Sequence, residues 1–297
     1  MKPLLASLAD LKNALPPEGP ALLLDVDGTI SVIAPTPQEA TVDPGCKQAL
    51  QALASNLPLL AAISGRPAAE VAAMVGVAGM VYAGNHGLEQ WRDGAVRTDP
   101  RAAALAGAVD AALRQLKERL SLPNGQAGLS GIIFEHKGLT AAVHYRLSPD
   151  PAEARRAILK AARDVARPLP VQVHEGRMVV ELRPALKADK GTAVAALLEE
   201  YQLARGDASR PAAAFYLGDD LTDVDAFRAL HGWAEQPVLS SVEGYARWGA
   251  AVAVLSAETP PELREEGDFW LAGVEEVRLF LVWLTATYRT CLPAEVS

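Results

Sequence analysis

A short apolar run, Ala21-Leu22-Leu23-Leu24, ends on Asp25, and the same device recurs along the chain. Leu57–Ile63 stops at Ser64, Met80–Ala83 at Gly84, and Ala213–Leu217 at Gly218. Runs this short and unbroken by polar residues predict strands buried on both faces, as in a parallel sheet. Between them, Cys46–Ser55, Pro67–Val75, Lys190–Glu200 and Asp223–Leu230 carry apolar residues at helical spacing, with Pro67 at a helix start. Strands alternating with helices imply right-handed crossovers and a doubly wound, Rossmann-like α/β core with a parallel sheet.

The middle of the chain has another rhythm. Ala102–Leu120 is one long helical pattern, followed by two strand patterns, Gly131–Glu135 and Thr140–Tyr145, about a Lys137-Gly138 turn. Pro151–Val165 is helical again, and Val171–His174 pairs with Met178–Leu182 about Glu175-Gly176-Arg177. Hairpins mean antiparallel pairing, so the segment 103–183 is expected to be an α+β domain inserted into a core built from 1–102 and 184–297.

Composition changes this picture little but excludes several functions. Half of the 297 residues are hydrophobic and few are aromatic, enough apolar surface for a sizeable core. The formal net charge of −8 argues against nucleic acid, whose phosphates need clustered cations. The two cysteines, Cys46 and Cys291, have neither disulfide-scaffold nor zinc spacing and are expected to be reduced thiols. No apolar run is long enough for a secretory signal or a membrane span, so a cytoplasmic location is expected. No protein partner is indicated.

Polar clusters follow the predicted core strands: Asp25-Val26-Asp27-Gly28-Thr29, Ser64-Gly65-Arg66, Gly84-Asn85-His86-Gly87 and Gly218-Asp219-Asp220-Leu221-Thr222-Asp223. In open α/β sheets the ligand crevice lies beyond the carboxyl ends of the strands, so these clusters are expected to converge. Asp25 and Asp27, two apart in an extended segment, point the same way, and Asp219, Asp220 and Asp223 add more carboxylates. So much negative charge calls for a hard divalent cation, and oxygen-only ligands favour Mg²⁺ over Zn²⁺. Beside that cation one carboxylate can attack phosphorus while a neighbour moves the proton of the leaving oxygen. Lys190, in a first helical turn, opposes the helix dipole unless an anion is near. In the inserted segment Glu135 and Lys137 alternate, as do His144 and Arg146, so each pair can face one way.

These residues carry a family resemblance. D-x-D-G-T, a strand-end Ser, a later Lys and G-D-D-x-x-D resemble the motifs of the haloacid dehalogenase superfamily of phosphohydrolases. More narrowly, the chain resembles the trehalose-6-phosphate phosphatases. The narrowing features are Ile63-Ser64-Gly65-Arg66, Gly84-Asn85-His86-Gly87-Leu88-Glu89, Phe134-Glu135-His136-Lys137-Gly138, His144-Tyr145-Arg146, Gly176–Pro184 and Asp189-Lys190-Gly191. The resemblance implies Asp25 as nucleophile and metal ligand, and Asp27 as general acid/base with its carbonyl on the metal. It implies Ser64 and Lys190 as holders of the phosphoryl oxygens, Asp219 as the remaining Mg²⁺ ligand, and Asp220 and Asp223 as groups that orient metal-bound water or Lys190. Arg66, Asn85, His86, Glu135, Lys137, Arg146, Arg177 and Glu181 would contact a sugar phosphate, with the insert as a mobile cap. Arg177 stands where Lys is usual, Val224 where Glu is common, and Lys187 is a second candidate for the lysine. The implied reaction is hydrolysis of trehalose 6-phosphate, with another sugar phosphate such as sucrose phosphate, or a phosphomutase reaction, as alternatives.

Overall fold

The computed structural model describes residues 1–121, 129–206, 211–235 and 247–288, which leaves Cys291 outside the described residues. The chain divides into two compact units, one of residues 1–34, 38–96 and 188–297 and the other of 35–37 and 97–187. Along the chain run β1 (Lys2–Pro3), β2 (Ala21–Leu24), β3 (Leu59–Ile63), β4 (Val81–Gly84), β5 (Glu89–Arg92) and β6 (Ala95–Thr98). Strands β7 (Ile133–His136), β8 (Ala141–His144), β9 (Val171–Gly176) and β10 (Val179–Pro184) follow in the second unit. The chain ends with β11 (Ala212–Gly218), β12 (Arg247–Val254) and β13 (Phe269–Leu271). The helices are α1 (Leu8–Ala14), α2 (Pro44–Leu53), α3 (Ala68–Val75), α4 (Pro100–Leu120), α5 (Pro151–Ala166), α6 (Lys190–Ala204), α7 (Leu221–Glu235), α8 (Pro261–Glu266) and α9 (Gly273–Tyr288).

In the first unit the sheet order is β1-β13-β12-β11-β2-β3-β4-β5-β6. It is parallel from β1 through β4, and β5 turns back antiparallel against β4. Its side chains alternate between two cores, as the two-residue period of a strand requires. Leu22, Leu24, Phe215 and Leu217 pack with α2, α3 and α9, whereas Leu23, Ile63, Ala214 and Tyr216 pack with α6 and α7. Helices on both faces make the core the expected doubly wound α/β type. The chain runs outward through β2, β3 and β4, then returns to lay β11 on the other side of β2. The ends of β2 and β11 therefore flank the switch point where crevices form in such sheets.

The second unit is a four-stranded sheet, β7-β8-β10-β9, with every pair antiparallel. One face is apolar: Val143, Tyr145, Val180 and Leu182 pack against Val109, Leu113 and Leu116 of α4 and Ile158, Leu159 and Ala162 of α5. The opposite face carries Glu135, Ala142, Glu181 and His174 in one row across the strands.

Three helices begin on an Asp-Pro pair. Asp43, Asp99 and Asp150 each accept an amide of the following first turn, from Cys46, Arg101 and Glu153 respectively. The aspartate satisfies an orphan donor and the proline presets φ, so these starts are sharp. Among the described residues, no helix is long and apolar enough to cross a membrane.

Candidate active site

Asp25 follows β2, and its amide donates to Leu217 of β11 at 2.8 Å, which seats it at the switch point with 5% of its surface exposed. Gly28 turns the chain at φ +88°, and a Cβ there would lie 2.0 Å from Asp219 Oδ2. Only glycine lets the D-x-D-G turn approach the β11 loop this closely. One carboxylate oxygen each from Asp25, Asp219 and Asp223 lies within 4.8 Å of the others, and all three residues are buried.

Lys190 reaches this cluster from the start of α6. Asp189 fixes that start through a reciprocal capping pair with Thr192: its side chain accepts the Thr192 amide at 2.7 Å while its own amide donates to Thr192 Oγ1 at 3.0 Å. Lys190 Nζ lies 2.6 Å from Asp223 Oδ1 and 2.9 Å from Asp25 Oδ1. Lys187 is exposed, so the lysine at the cluster is Lys190. Asp223 also accepts the Tyr216 hydroxyl at 2.7 Å and the amides of Asp219 and Asp220 at 3.0 Å each. It is the hub that holds the lysine and shapes the loop.

Burial pushes the Asp25 carboxyl well above the usual carboxylate range; Lys190 pulls it down, while Asp223 and Asp219 push it further up. Burial works to strip the Lys190 proton, but Asp223 and Asp25 outweigh it and hold the ammonium above its ordinary value. Three carboxylates with one ammonium between two of them leave net negative charge in a buried site. The donors are all oxygen, so a hard divalent cation fits the set.

The Asp27 side chain is paired with Arg66. Its two carboxylate oxygens accept Arg66 Nε at 2.7 Å and Nη2 at 2.9 Å, and Arg66 Nη1 donates to Glu70 Oε1 at 2.5 Å. Asp223 thus completes the carboxylate triad in place of the Asp27 side chain, and Arg66, expected to contact substrate, is engaged by protein carboxylates. Ser64 is buried after β3 and its Oγ accepts the Arg66 amide at 3.2 Å. The Gly84–Gly87 loop is tied to the same segment: the Asn85 amide donates to Arg66 O at 2.7 Å and the His86 amide to Ser64 O at 3.0 Å. Asn85 and His86 both take positive φ, 48° and 58°, a costly state for non-glycine residues. The His86 ring lies over Gly65, where a Cβ would meet Nε2 at 2.8 Å. Asp220 stands at the mouth of α7 with its carboxylate accepting the Leu221 amide.

The second unit has its own polar cluster. Lys137 Nζ donates to Glu181 Oε1 at 3.0 Å and lies 3.7 Å from Glu135 Oε2. Glu135 Oε2 also meets His144 Nε2 at 2.7 Å, and Glu181 Oε2 accepts Arg183 Nε at 2.9 Å and Arg183 Nη2. Burial lowers the Lys137 ammonium, yet Glu181 and Glu135 leave it raised overall. Of the expected contact residues, Glu135, Lys137 and Glu181 are brought together; Arg146 lies in the turn after β8 and Arg177 in the β9–β10 turn. Sequence patterning missed Arg183, whose place two residues from Glu181 on a strand was the available signal. It also missed Glu70, one helical turn after Arg66, and Glu89, whose Oε2 takes the Ala68 amide at 2.9 Å.

Residues 23–244 match the family model described as trehalose-phosphatase. The chain is 38% identical over 215 residues to a trehalose-phosphate phosphatase of Mycobacterium marinum, a match covering 71% of this chain and 51% of that protein. It is 34% identical over 260 residues to one of Mycobacterium tuberculosis, covering 87% and 63%. The chain therefore spans between half and two thirds of the length of these relatives. The solved C-terminal domain of C. albicans trehalose-6-phosphate phosphatase superposes with a TM-score of 0.71 at 22% identity, over 96% of this chain and 98% of that one, a likeness of fold.

Proposed function

The chain belongs to the trehalose-phosphatase family, and from that premise we propose that it is a Mg²⁺-dependent phosphatase that hydrolyses trehalose 6-phosphate. The observation that carries the proposal is the buried carboxylate of Asp25 at the sheet's switch point, 2.9 Å from Lys190 and beside Asp219 and Asp223. A carboxylate so placed is desolvated, oriented and flanked by a fixed cation, which is what a nucleophile toward a dianionic phosphoryl group needs.

Asp25 Oδ attacks phosphorus as the bond from phosphorus to the sugar oxygen breaks, giving an aspartyl phosphate. Asp27, protonated once its pairing with Arg66 is loosened, would deliver a proton to the departing sugar oxygen, then take one from the water that attacks the aspartyl phosphate and restores Asp25. Lys190 and Ser64 hold the equatorial phosphoryl oxygens, with Asp223 keeping Lys190 in place. Asp25, Asp219 and the Asp27 carbonyl would hold Mg²⁺, which when bound offsets the charge of the carboxylates and the phosphoryl group. In the second unit, Glu135, Lys137 and Glu181 offer paired acceptors and donors suited to sugar hydroxyls, with Arg146 and Arg177 as further cations.

The test is phosphate release from a set of sugar phosphates with Mg²⁺ and with EDTA. Release from trehalose 6-phosphate well above the others, lost in EDTA and in Asp25→Asn, is the expected result. Preference for a different sugar phosphate overturns the substrate; full turnover by Asp25→Asn overturns the nucleophile.

A further inference from the structure

Tyr216 stands two residues before the end of β11, on the face covered by α6 and α7, and is fully buried. Its strand lies between β2 and β12, and its ring meets Phe227 of α7 edge-on at 5.9 Å. Strand and ring packing together make the hydroxyl a donor on a rigid arm. That donor goes to Asp223 Oδ1 at 2.7 Å, the same oxygen that accepts Lys190 Nζ at 2.6 Å. Asp223 Oδ2 accepts the amides of Asp219 and Asp220. An ionised carboxylate has about four acceptor directions, and these bonds fill them. The two amides belong to the loop that Asp223 itself closes, so they turn with it. The hydroxyl comes from the sheet and fixes the carboxylate against the strand that leads into the site. It also takes one direction on Oδ1 and leaves Lys190 the other, from which Nζ reaches Asp25 Oδ1 at 2.9 Å. An ammonium carries three N–H donors, so aiming two of them gives the third a defined direction. With the hydroxyl gone, Oδ1 regains charge and an open direction on the core side. Lys190 is then drawn toward Asp223 and away from Asp25.

We infer that Tyr216 is a positioning residue for the phosphoryl group, aiming the Lys190 ammonium through Asp223. This rests on the phosphatase function proposed above, at its phosphoryl end, and requires no particular sugar. A hydroxyl that only satisfies a buried carboxylate would behave differently, and Lys190 is what separates the two cases. Acting through the lysine, the hydroxyl does nothing for phosphoryl binding once the lysine is absent. Acting as a support of the loop, it matters equally with and without the lysine.

The experiment measures orthovanadate affinity by titration calorimetry with Mg²⁺, together with kcat on trehalose 6-phosphate and p-nitrophenyl phosphate. It compares wild type, Tyr216→Phe, Lys190→Met and the double variant. Vanadate takes the shape of a phosphoryl group in transfer and so reports on groups that hold the transition state. Misplacing a group by about 1 Å costs up to about 10²-fold, and a lysine that leans without leaving the site should lose about tenfold. Tyr216→Phe should weaken vanadate by that factor and lower kcat similarly on both esters. In the Lys190→Met background the same change should shift vanadate affinity by less than about twofold. Wild-type vanadate affinity in Tyr216→Phe overturns the inference, as does a loss of the same size in both backgrounds. A loss confined to the sugar ester also overturns it, because the effect would then lie at the leaving group. If Tyr216→Phe does not fold, Tyr216→Met, which equally lacks the hydroxyl, carries the comparison; if neither folds, the tyrosine is a folding determinant and the inference falls. Lys190→Gln supplies the background if Lys190→Met does not fold. If wild type prefers another sugar phosphate, only the substrate proposed above falls, and the comparison is read on that ester. A wild type that neither binds vanadate nor releases phosphate overturns the phosphatase reading and this inference with it.

Discussion

Lys190→Met replaces a buried ammonium by an apolar chain of similar length and leaves two carboxylates facing each other without it. The wild-type cation is 3% exposed and lies 2.9 Å from Asp25 and 2.6 Å from Asp223, so water contributes little compensation. Removing one partner of a buried ion pair costs about 3–5 kcal/mol, because the opposing charge stays desolvated. In urea, with an m-value of about 3 kcal/mol/M for the transition of the first unit, the midpoint falls by about 1–1.7 M. The measurement is made in EDTA, so that no cation can take over from the lysine, and repeated with saturating Mg²⁺. Binding of the metal to the native carboxylates should then recover part of the deficit. Asp223→Asn supplies the internal control. Once the lysine is gone, neutralising Asp223 relieves the repulsion with Asp25, so the double variant should be more stable than the sum of the single effects by about 1–3 kcal/mol. A Lys190→Met protein within about 1 kcal/mol of wild type in EDTA, with additive Asp223→Asn, would refute the reasoning.

Asp25→Asn should abolish phosphate release and yet raise thermal stability at pH 7 in EDTA. The Asp25 carboxyl is raised on folding by burial, so it supports the fold below the ordinary carboxylate range and opposes it as pH rises. Melting curves from pH 7 toward the unperturbed value of about 3.9 should show the advantage of the Asn variant shrinking; a wild type at least as stable at pH 7 in EDTA contradicts it. Gly28→Ala must adopt φ +88° and push Asp219 Oδ2, 2.0 Å from the new Cβ, out of place. Backbone strain alone costs about 1–3 kcal/mol, and Mn²⁺ affinity by titration calorimetry should fall at least about tenfold; unchanged affinity would remove Asp219 from the metal site. Glu181→Ala leaves Lys137 and Arg183 without their shared acceptor. It should lower kcat/KM for trehalose 6-phosphate far more than for p-nitrophenyl phosphate, and equal losses would show that the second unit does not read the sugar.

What could be seen from the chain alone follows from how strongly each signal is written locally. Strands β2, β3, β4 and β11 are buried on both faces and therefore appear as unbroken apolar runs, each closed by the polar residue that begins a site loop. Strand β12 escaped notice because Arg247-Trp248-Gly249-Ala250 opens it with residues that suit a loop as well as a strand. The β5 strand escaped for the opposite reason: Glu89 to Arg92 is polar enough to pass for a turn. At the site, residue types were legible and partnerships were not. Asp27 and Asp223 are both carboxylates near strand ends, and spacing gives no reason to send one to Arg66 and the other to Lys190. That division is made by α6, whose capped start aims Lys190 between Asp25 and Asp223, and by Arg66 in the loop after β3, which donates to both oxygens of Asp27. The same holds for Glu181 and Arg183, which alternate on one strand as ordinary exposed charges do, yet form a buried pair whose carboxylate also accepts Lys137 from the β7–β8 turn. Local pattern therefore sets which groups reach the strand ends, and the contacts between elements decide which of them meet. For Asp25 this decides its chemistry. A lone aspartate after a strand is a turn residue, whereas one enclosed by Lys190, Asp219 and Asp223 is desolvated and oriented for attack.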